Sequence, residues 1–464
     1  MKSNWFQSVI QSIAEKGREL LGLEQTNGAN ADLSSMCKRL LASHGEASNV
    51  ALSQQIIHLY HGLDSEKRLD FFKLLADEFN PDILELKRAA QRYFESGNPQ
   101  DLITLNNVLE APRQELFRRL NLAPSGTAHL VSLRADLLKL LKRHQELICV
   151  DADLKHILSS WFNRGFLQLR NIDWTSPAFV LEKLINYESV HEIRGWDDLR
   201  RRLMQDRRCF AFFHPAMPDE PLIFIEIALV NGLTDNISDL INPTAPMLEP
   251  RQADTAIFYS INNTQTGLRG ISFGNFLIKQ VLVELSYELP WIKTSSTLSP
   301  IPSFAGNLKR WLSGEARQPV DKLFENVILQ NNDSILQVAE NNQLDTSLPI
   351  KGILNTILEN NLSADDKTLH VLLSDLALAH LTTIGDNNKL PDPVAIFHLS
   401  NGARLERINT YADTSEHGLT SSFGVMVNYL YNMSDVERNH EAFVSEKKIV
   451  MSEHLNKRAR QLEG

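Results

Sequence analysis

Apolar residues recur three and four positions apart through the first third of the chain, and this period predicts helices there. Residues 5–21, 33–43, 50–63, 66–78, 82–94, the segment around 102–120 and 130–147 all carry it. Asp64 and Ser65 stand where they can cap the run from 66, and Pro124-Ser-Gly126 breaks the pattern before the last one. After Gly165 the texture changes. Residues 209–213 and 222–230 are apolar and β-rich, and read as strands. The connector between them, His214-Pro-Ala-Met-Pro-Asp-Glu-Pro221, holds three prolines and predicts a hairpin loop. Residues 255–261 form another strand, followed by a loop punctuated by Gly267, Gly270 and Gly274. Leu277, Ile278, Val281, Leu282, Leu285 and Leu289 then return at helical spacing, and Pro290 stops the run. Residues 304–386 are helical again, with one helix opening at Ser363-Ala-Asp-Asp366. Strands are expected to resume at 393–399, 404–411 and 423–431.

This order predicts an α+β protein. An N-terminal all-helical bundle, residues 1–165, would serve support or oligomer contact, and residues 166–464 would form a mixed-sheet domain with a helical insertion. A length of 464 residues suits two domains. The hydrophobic share of 43% and charged share of 22% are those of an ordinary soluble protein. The net charge of −10, with no long basic block, argues against nucleic acid or an anionic membrane as partner. Cys37, Cys149 and Cys209 are odd in number and widely spaced, so no disulfide framework or zinc pattern follows. No apolar run is long enough to span a bilayer. Residues 1–23 mix Glu15 and Glu19 with Lys16 and Arg18, unlike a signal peptide, and a cytoplasmic location is the expectation.

Three places invite chemistry. A Gly-rich loop between a strand and a helix offers backbone N–H groups and the helix dipole to an anion such as a pyrophosphate. The same loop also serves as a plain tight connection, and its spacing is neither the Walker form nor the dinucleotide fingerprint. Thr297-Leu-Ser299-Pro300-Ile-Pro302 holds a hydroxyl in a stiff, extended segment. His398 alternates with Val394 and Ile396 along its expected strand. It is either a core histidine satisfied by a carbonyl or a general acid or base tuned by burial. Asn428 and Tyr431 are further polar contacts or structural groups. Glu226, on one face with Phe224 and Ala228, is a buried, perturbed carboxylate or sits at a strand edge in water. The 14 histidines show no paired ligand spacing, so no metal is expected.

Taken together these stretches resemble the malonyl-CoA decarboxylases. The resemblance runs through Trp174-Thr-Ser-Pro177, Tyr187-Glu-Ser-Val-His191, Arg200-Arg-Arg202, the His214–Leu222 connector, Phe258-Tyr-Ser-Ile261, Gln265-Thr-Gly-Leu-Arg-Gly270, Gly274-Asn-Phe-Leu-Ile-Lys279, Leu298-Ser-Pro-Ile-Pro302, Pro393-Val-Ala-Ile-Phe-His-Leu-Ser-Asn-Gly-Ala403 and Arg407-Ile-Asn409. It implies a helical domain joined to a GCN5-related acetyltransferase-like domain. It also implies conversion of malonyl-CoA to acetyl-CoA and carbon dioxide, with no cofactor beyond the CoA of the substrate itself. The family's catalytic serine and histidine fall on Ser299 and His398. Its acyl-CoA contacts fall on Arg269, Gly270, Ile271, Ser272, Phe273, Gly274 and Asn275. Family members can carry a glutamate where this chain has Ser272. Ser299 would orient the malonyl carboxylate and His398 would donate the proton, while N–H donors near the loop would meet the developing oxyanion. A homo-oligomer, dimer or tetramer, is expected. An acyl-CoA N-acyltransferase and a non-catalytic acyl-CoA-binding scaffold are the competing readings.

Overall fold

The computed structural model describes residue 12 and residues 33–271, 277–315, 318–360, 367–385 and 388–463. The helix expected at 5–21, residue 12 apart, lies outside the described residues, as do Ser272, Phe273, Gly274, Asn275 and the start at Ser363-Ala-Asp-Asp366 of the expected helix whose body is Lys367–Thr382. The chain divides into two compact units. One comprises residues 1–168, 213–222 and 263–274, and the other residues 169–212, 223–262 and 275–464.

The first unit is built on helices, as the period demands: Leu33–Ala42, Glu46–His61, Ser65–Asp77, Ile83–Ser96, Pro99–Leu109, Pro112–Leu120, Gly126–Leu140 and Ile148–Trp161. Asp64 caps its helix, accepting from the Lys67 N–H at 2.9 Å. The segment around 102–120 is two helices rather than one, because Pro112 opens a new helix at its first turn. Phe72, Leu75, Leu116, Phe117, Leu137, Val150 and Leu154 meet in its core, all buried.

The second unit carries a mixed sheet. Its strands are β1 (Gln168–Ile172), β2 (Arg207–Phe213), β3 (Ile223–Val230), β4 (Thr255–Asn263), β5 (Thr294–Thr297), β6 (Ser299–Pro300), β7 (Arg404–Asn409) and β8 (Met426–Tyr431). The order is β1-β2-β3-β4-β5-β8-β6, with β7 also pairing β8. β2 and β3 form the expected antiparallel hairpin. β4 and β5 are parallel, and their register ends at Phe258↔Thr297 while β4 runs on. Beyond that point β6 takes over, with Ser299 opposite Val427 of β8. The helices Phe304–Leu312, Asp321–Gln330, Asn332–Asn341, Ile350–Glu359 and Lys367–Thr382 form the insertion between β6 and β7.

Two expectations are corrected. The 393–399 segment is not a strand but the helix Pro393–Ser400. Asp392 accepts from the N–H groups of Val394 and Ala395, both at 2.9 Å, and Pro393 occupies the first turn, so a capping signal outweighs a short apolar alternation. The water-facing alternative for Glu226 does not hold either. Its side chain is 2% exposed and meets Arg202 at 3.0 Å. Burial pushes its carboxyl up to about 8 against the pull of Arg202.

Candidate active site

Ser299 owes its position to strand pairing. Pro300 holds it extended, and pairing to β8 fixes which way it faces. Side chains alternate along a strand, so Thr297 and Ser299 share one face of their segment, and Val427, Tyr429 and Tyr431 share one face of β8. Ser299 Oγ lies 2.9 Å from Thr297 Oγ1, which accepts from the Tyr429 N–H at 3.2 Å. On its other side Ser299 Oγ is 3.0 Å from His398 Nε2, and His398 Nδ1 is 2.9 Å from the Tyr431 hydroxyl. The imidazole stacks on Tyr429, with ring centroids 4.6 Å apart and planes at 23°. Thr297, Ser299, His398 and Tyr431 therefore form one hydrogen-bonded row. Both ring nitrogens are engaged, so one donates and the other accepts, and the tautomer sets the direction of the row.

Among the described residues no charged neighbour offsets the burial of the histidine. It is 2% exposed, and desolvation alone pushes its imidazole down to about 3. It stands in the last turn of its helix, where the dipole favours a cation, but burial outweighs that preference. Around neutral pH the row is accordingly uncharged and can exchange protons without first breaking an ion pair.

One carboxylate ties the serine segment to the histidine helix. Asp392 is 0% exposed. Oδ1 caps the helix Pro393–Ser400, while Oδ2 accepts from the Ser303 hydroxyl at 2.8 Å and its N–H at 3.3 Å. Ser303 follows Ser299 by four residues and His398 follows Asp392 by six, so one buried group sets both ends of the pair. Burial raises the Asp392 carboxyl above the usual carboxylate range, against the hydrogen bonds that lower it. Ser303 Oγ also meets His380 Nε2 at 2.9 Å, and burial pushes that imidazole down to about 4.

The other nominated residues separate. Tyr431 joins the row. Asn428 alternates to the opposite face of β8, where it donates to Thr297 O at 2.8 Å and accepts from Asn409 at 2.8 Å and Arg407 at 3.0 Å. It holds the strand that carries Thr297 and stands outside the row. Glu226 belongs to the ion pair with Arg202. Arg269 and Gly270 are exposed and Ile271 is buried. Gly270 has φ +75°, a conformation that a side chain would strain. Gly267 sits so close to the helix Gly126–Leu140 that a Cβ would lie 1.8 Å from Val131 O. Thr297, Ser303 and Asp392 went unrecognised in the sequence. The Asp392-Pro393 pair carries a capping signal, whereas Thr297 and Ser303 carry none. Among the described residues no group of three or more His, Cys, Asp or Glu side chains is arranged to hold a metal.

Two family models match: the malonyl-CoA decarboxylase C-terminal domain over residues 165–463 and the malonyl-CoA decarboxylase N-terminal domain over residues 79–162. The mitochondrial malonyl-CoA decarboxylase of Anser anser anser is 34% identical over 423 residues, covering 87% of this chain and 82% of the relative. That of Rattus norvegicus is 32% identical over 419 residues, covering 86% and 83%. The crystal structure of malonyl-CoA decarboxylase from Rhodopseudomonas palustris superposes with a TM-score of 0.80 at 43% identity, over 92% of this chain and 98% of that one. The one from Agrobacterium vitis gives 0.78 at 40% identity, over 94% and 100%. A matching model over more than half the chain and relatives above 30% identity, most of whose length is covered, lead to one conclusion: this chain belongs to the malonyl-CoA decarboxylase family.

Proposed function

We propose that this chain converts malonyl-CoA to acetyl-CoA and carbon dioxide, with Ser299 and His398 acting on the malonyl end. The observation that carries the reading is the 3.0 Å contact of Ser299 Oγ with His398 Nε2 in a buried, uncharged row. Ser299 hydrogen-bonds the malonyl carboxylate and aligns its C–C bond with the thioester carbonyl. That bond breaks, carbon dioxide leaves, and its electron pair passes into the thioester enolate. His398 then delivers a proton to the α-carbon, giving acetyl-CoA, and regains one from solvent, so each turnover consumes one proton. The bound carboxylate supplies the opposite charge that this imidazole otherwise lacks, which raises its proton affinity when a donor is needed. Thr297 and Tyr431 support the row at its two ends. Arg269, Gly270 and Ile271 are read as contacts to the CoA portion, and the substrate's own CoA is the only coenzyme involved.

The test is direct. Carboxyl-labelled malonyl-CoA in chelator-treated buffer is expected to yield acetyl-CoA and labelled carbon dioxide in equal amounts. Ser299→Ala and His398→Ala are each expected to lower kcat roughly a hundredfold or more, the scale of a lost positioned acid–base or electrostatic group. Release of free CoA and malonate, or wild-type turnover in both folded variants, would overturn the reading. A homo-oligomer, dimer or tetramer, goes with it. Ile83, Leu84 and Phe94, 65%, 62% and 83% exposed, support association, and light scattering checks it.

A further inference from the structure

The helical unit buries a charged residue that grips a turn far along the chain. Arg134, in the helix Gly126–Leu140, is 2% exposed. Its Nε donates to Asp151 Oδ1 at 2.8 Å, which leaves the far end of the guanidinium free to reach outward. Nη1 donates to two carbonyls of one turn, Gly267 O at 2.7 Å and Arg269 O at 2.9 Å. Residues 263–274 belong to the same compact unit as this helix, so the grip is internal to it. Gly267 packs on the same helix so tightly that a Cβ would strike Val131 O. The turn Thr266–Leu268 is thus pressed against the helix at Gly267, and the helix ties it at Gly267 O and just past its end at Arg269 O. Leu268 and Ile271 anchor it further, each buried. Arg269 and Gly270 remain exposed. Fixing the Arg269 carbonyl fixes the peptide plane from which the Arg269 side chain departs. A planar fork with several donors suits this task better than a point charge.

We propose that Arg134 is a positioning residue for substrate binding: it sets the backbone from which Arg269 and Gly270 meet the phosphate-bearing half of an acyl-CoA. This rests on the reading of Arg269–Ile271 as acyl-CoA contacts. Arg134 touches no part of the substrate and acts through the turn.

Steady-state kinetics on the whole protein test it, with malonyl-CoA and with malonyl-pantetheine, which lacks the nucleotide and its phosphates. Arg134→Gln is expected to raise KM for malonyl-CoA about tenfold, the scale of a lost charge-assisted hydrogen bond, while kcat holds. Its kcat/KM for malonyl-pantetheine stays at the wild-type value. Arg134→Lys keeps the charge without the fork and recovers part of the loss. Gly267→Ala, which pushes the turn off Val131, reproduces the effect from the other side and stands in should Arg134→Gln fail to fold. Equal losses on both substrates would make Arg134 a merely structural residue and overturn the proposal. So would unchanged kinetics in a wild type that favours malonyl-CoA. A wild type that handles both substrates equally well would overturn the reading of the loop itself, and the proposal with it.

Discussion

A hydroxyl and an imidazole in contact do chemistry only when the atoms behind them hold each in one state. Behind Ser299 stands Thr297, and behind His398 stands Tyr431. The serine and histidine were legible in the sequence, because each lies in a stretch dense in family residues. Their supports were not. Thr297 is one hydroxyl in a run of four, and its use depends on the strand that faces it. In the sequence Tyr431 is only a polar group on a later strand. The row makes a testable demand on it. Tyr431→Phe removes the partner of Nδ1 from an apolar setting, leaving a buried ring nitrogen unpaired. We expect kcat to fall about tenfold with KM for malonyl-CoA little changed, since one neutral hydrogen bond is lost and no substrate contact. Kinetics of a variant with unaltered thermal melting check this, and a wild-type kcat would remove Tyr431 from the mechanism.

At the scale of elements, most helices of the first unit follow from period and caps alone. Two elements around the site do not. β5 is Thr-Ser-Ser-Thr, with no apolar alternation, and exists because β4 and β8 pair with it on either side. The helix Pro393–Ser400 shows the reverse case. Its apolar positions fit a strand as well as a helix over so few residues, and Asp392 with Pro393 decides between them. That carboxylate has a second duty at Ser303, so its loss is felt in two places. Asp392→Ala is expected to cost about 2 kcal/mol or more in stability, a lost cap plus unpaired buried donors. It should also lower kcat, because both the serine segment and the histidine helix lose their common anchor. Urea unfolding and kinetics on one preparation decide the matter. A stable variant with full activity would show that packing alone holds the pair.

The whole molecule carries the cost of keeping two imidazoles neutral and buried. His398 and His380 are pushed down to about 3 and about 4 from an ordinary value of 6.5. Between those values and 6.5 the unfolded chain binds protons that the folded chain refuses. Stability therefore rises with pH across that window and is lost as the medium is acidified through it. Each group contributes on the order of 1 kcal/mol per pH unit there. Urea midpoints at about pH 7.5 and about pH 5.5 are expected to show this loss, and His398→Asn to reduce the pH slope. An unchanged slope in that variant would mean that His398 is not neutral and buried in the fold. The sequence by itself determined the helices between residues 33 and 161, the β2–β3 hairpin, the helical insertion and the two residues on which the chemistry is proposed to rest. These rest on local causes: side-chain period, capping groups, proline and glycine placement, and motif identity. Tertiary structure alone decided that Ser299 and His398, 99 residues apart, meet at 3.0 Å. It also decided that β5 is a strand, that Asn428 faces away, and that Arg134 grips a turn 133 and 135 residues further along the chain. Each of these depends on which segments are brought beside one another and on what burial then does to their polar groups. No window of local sequence contains that information.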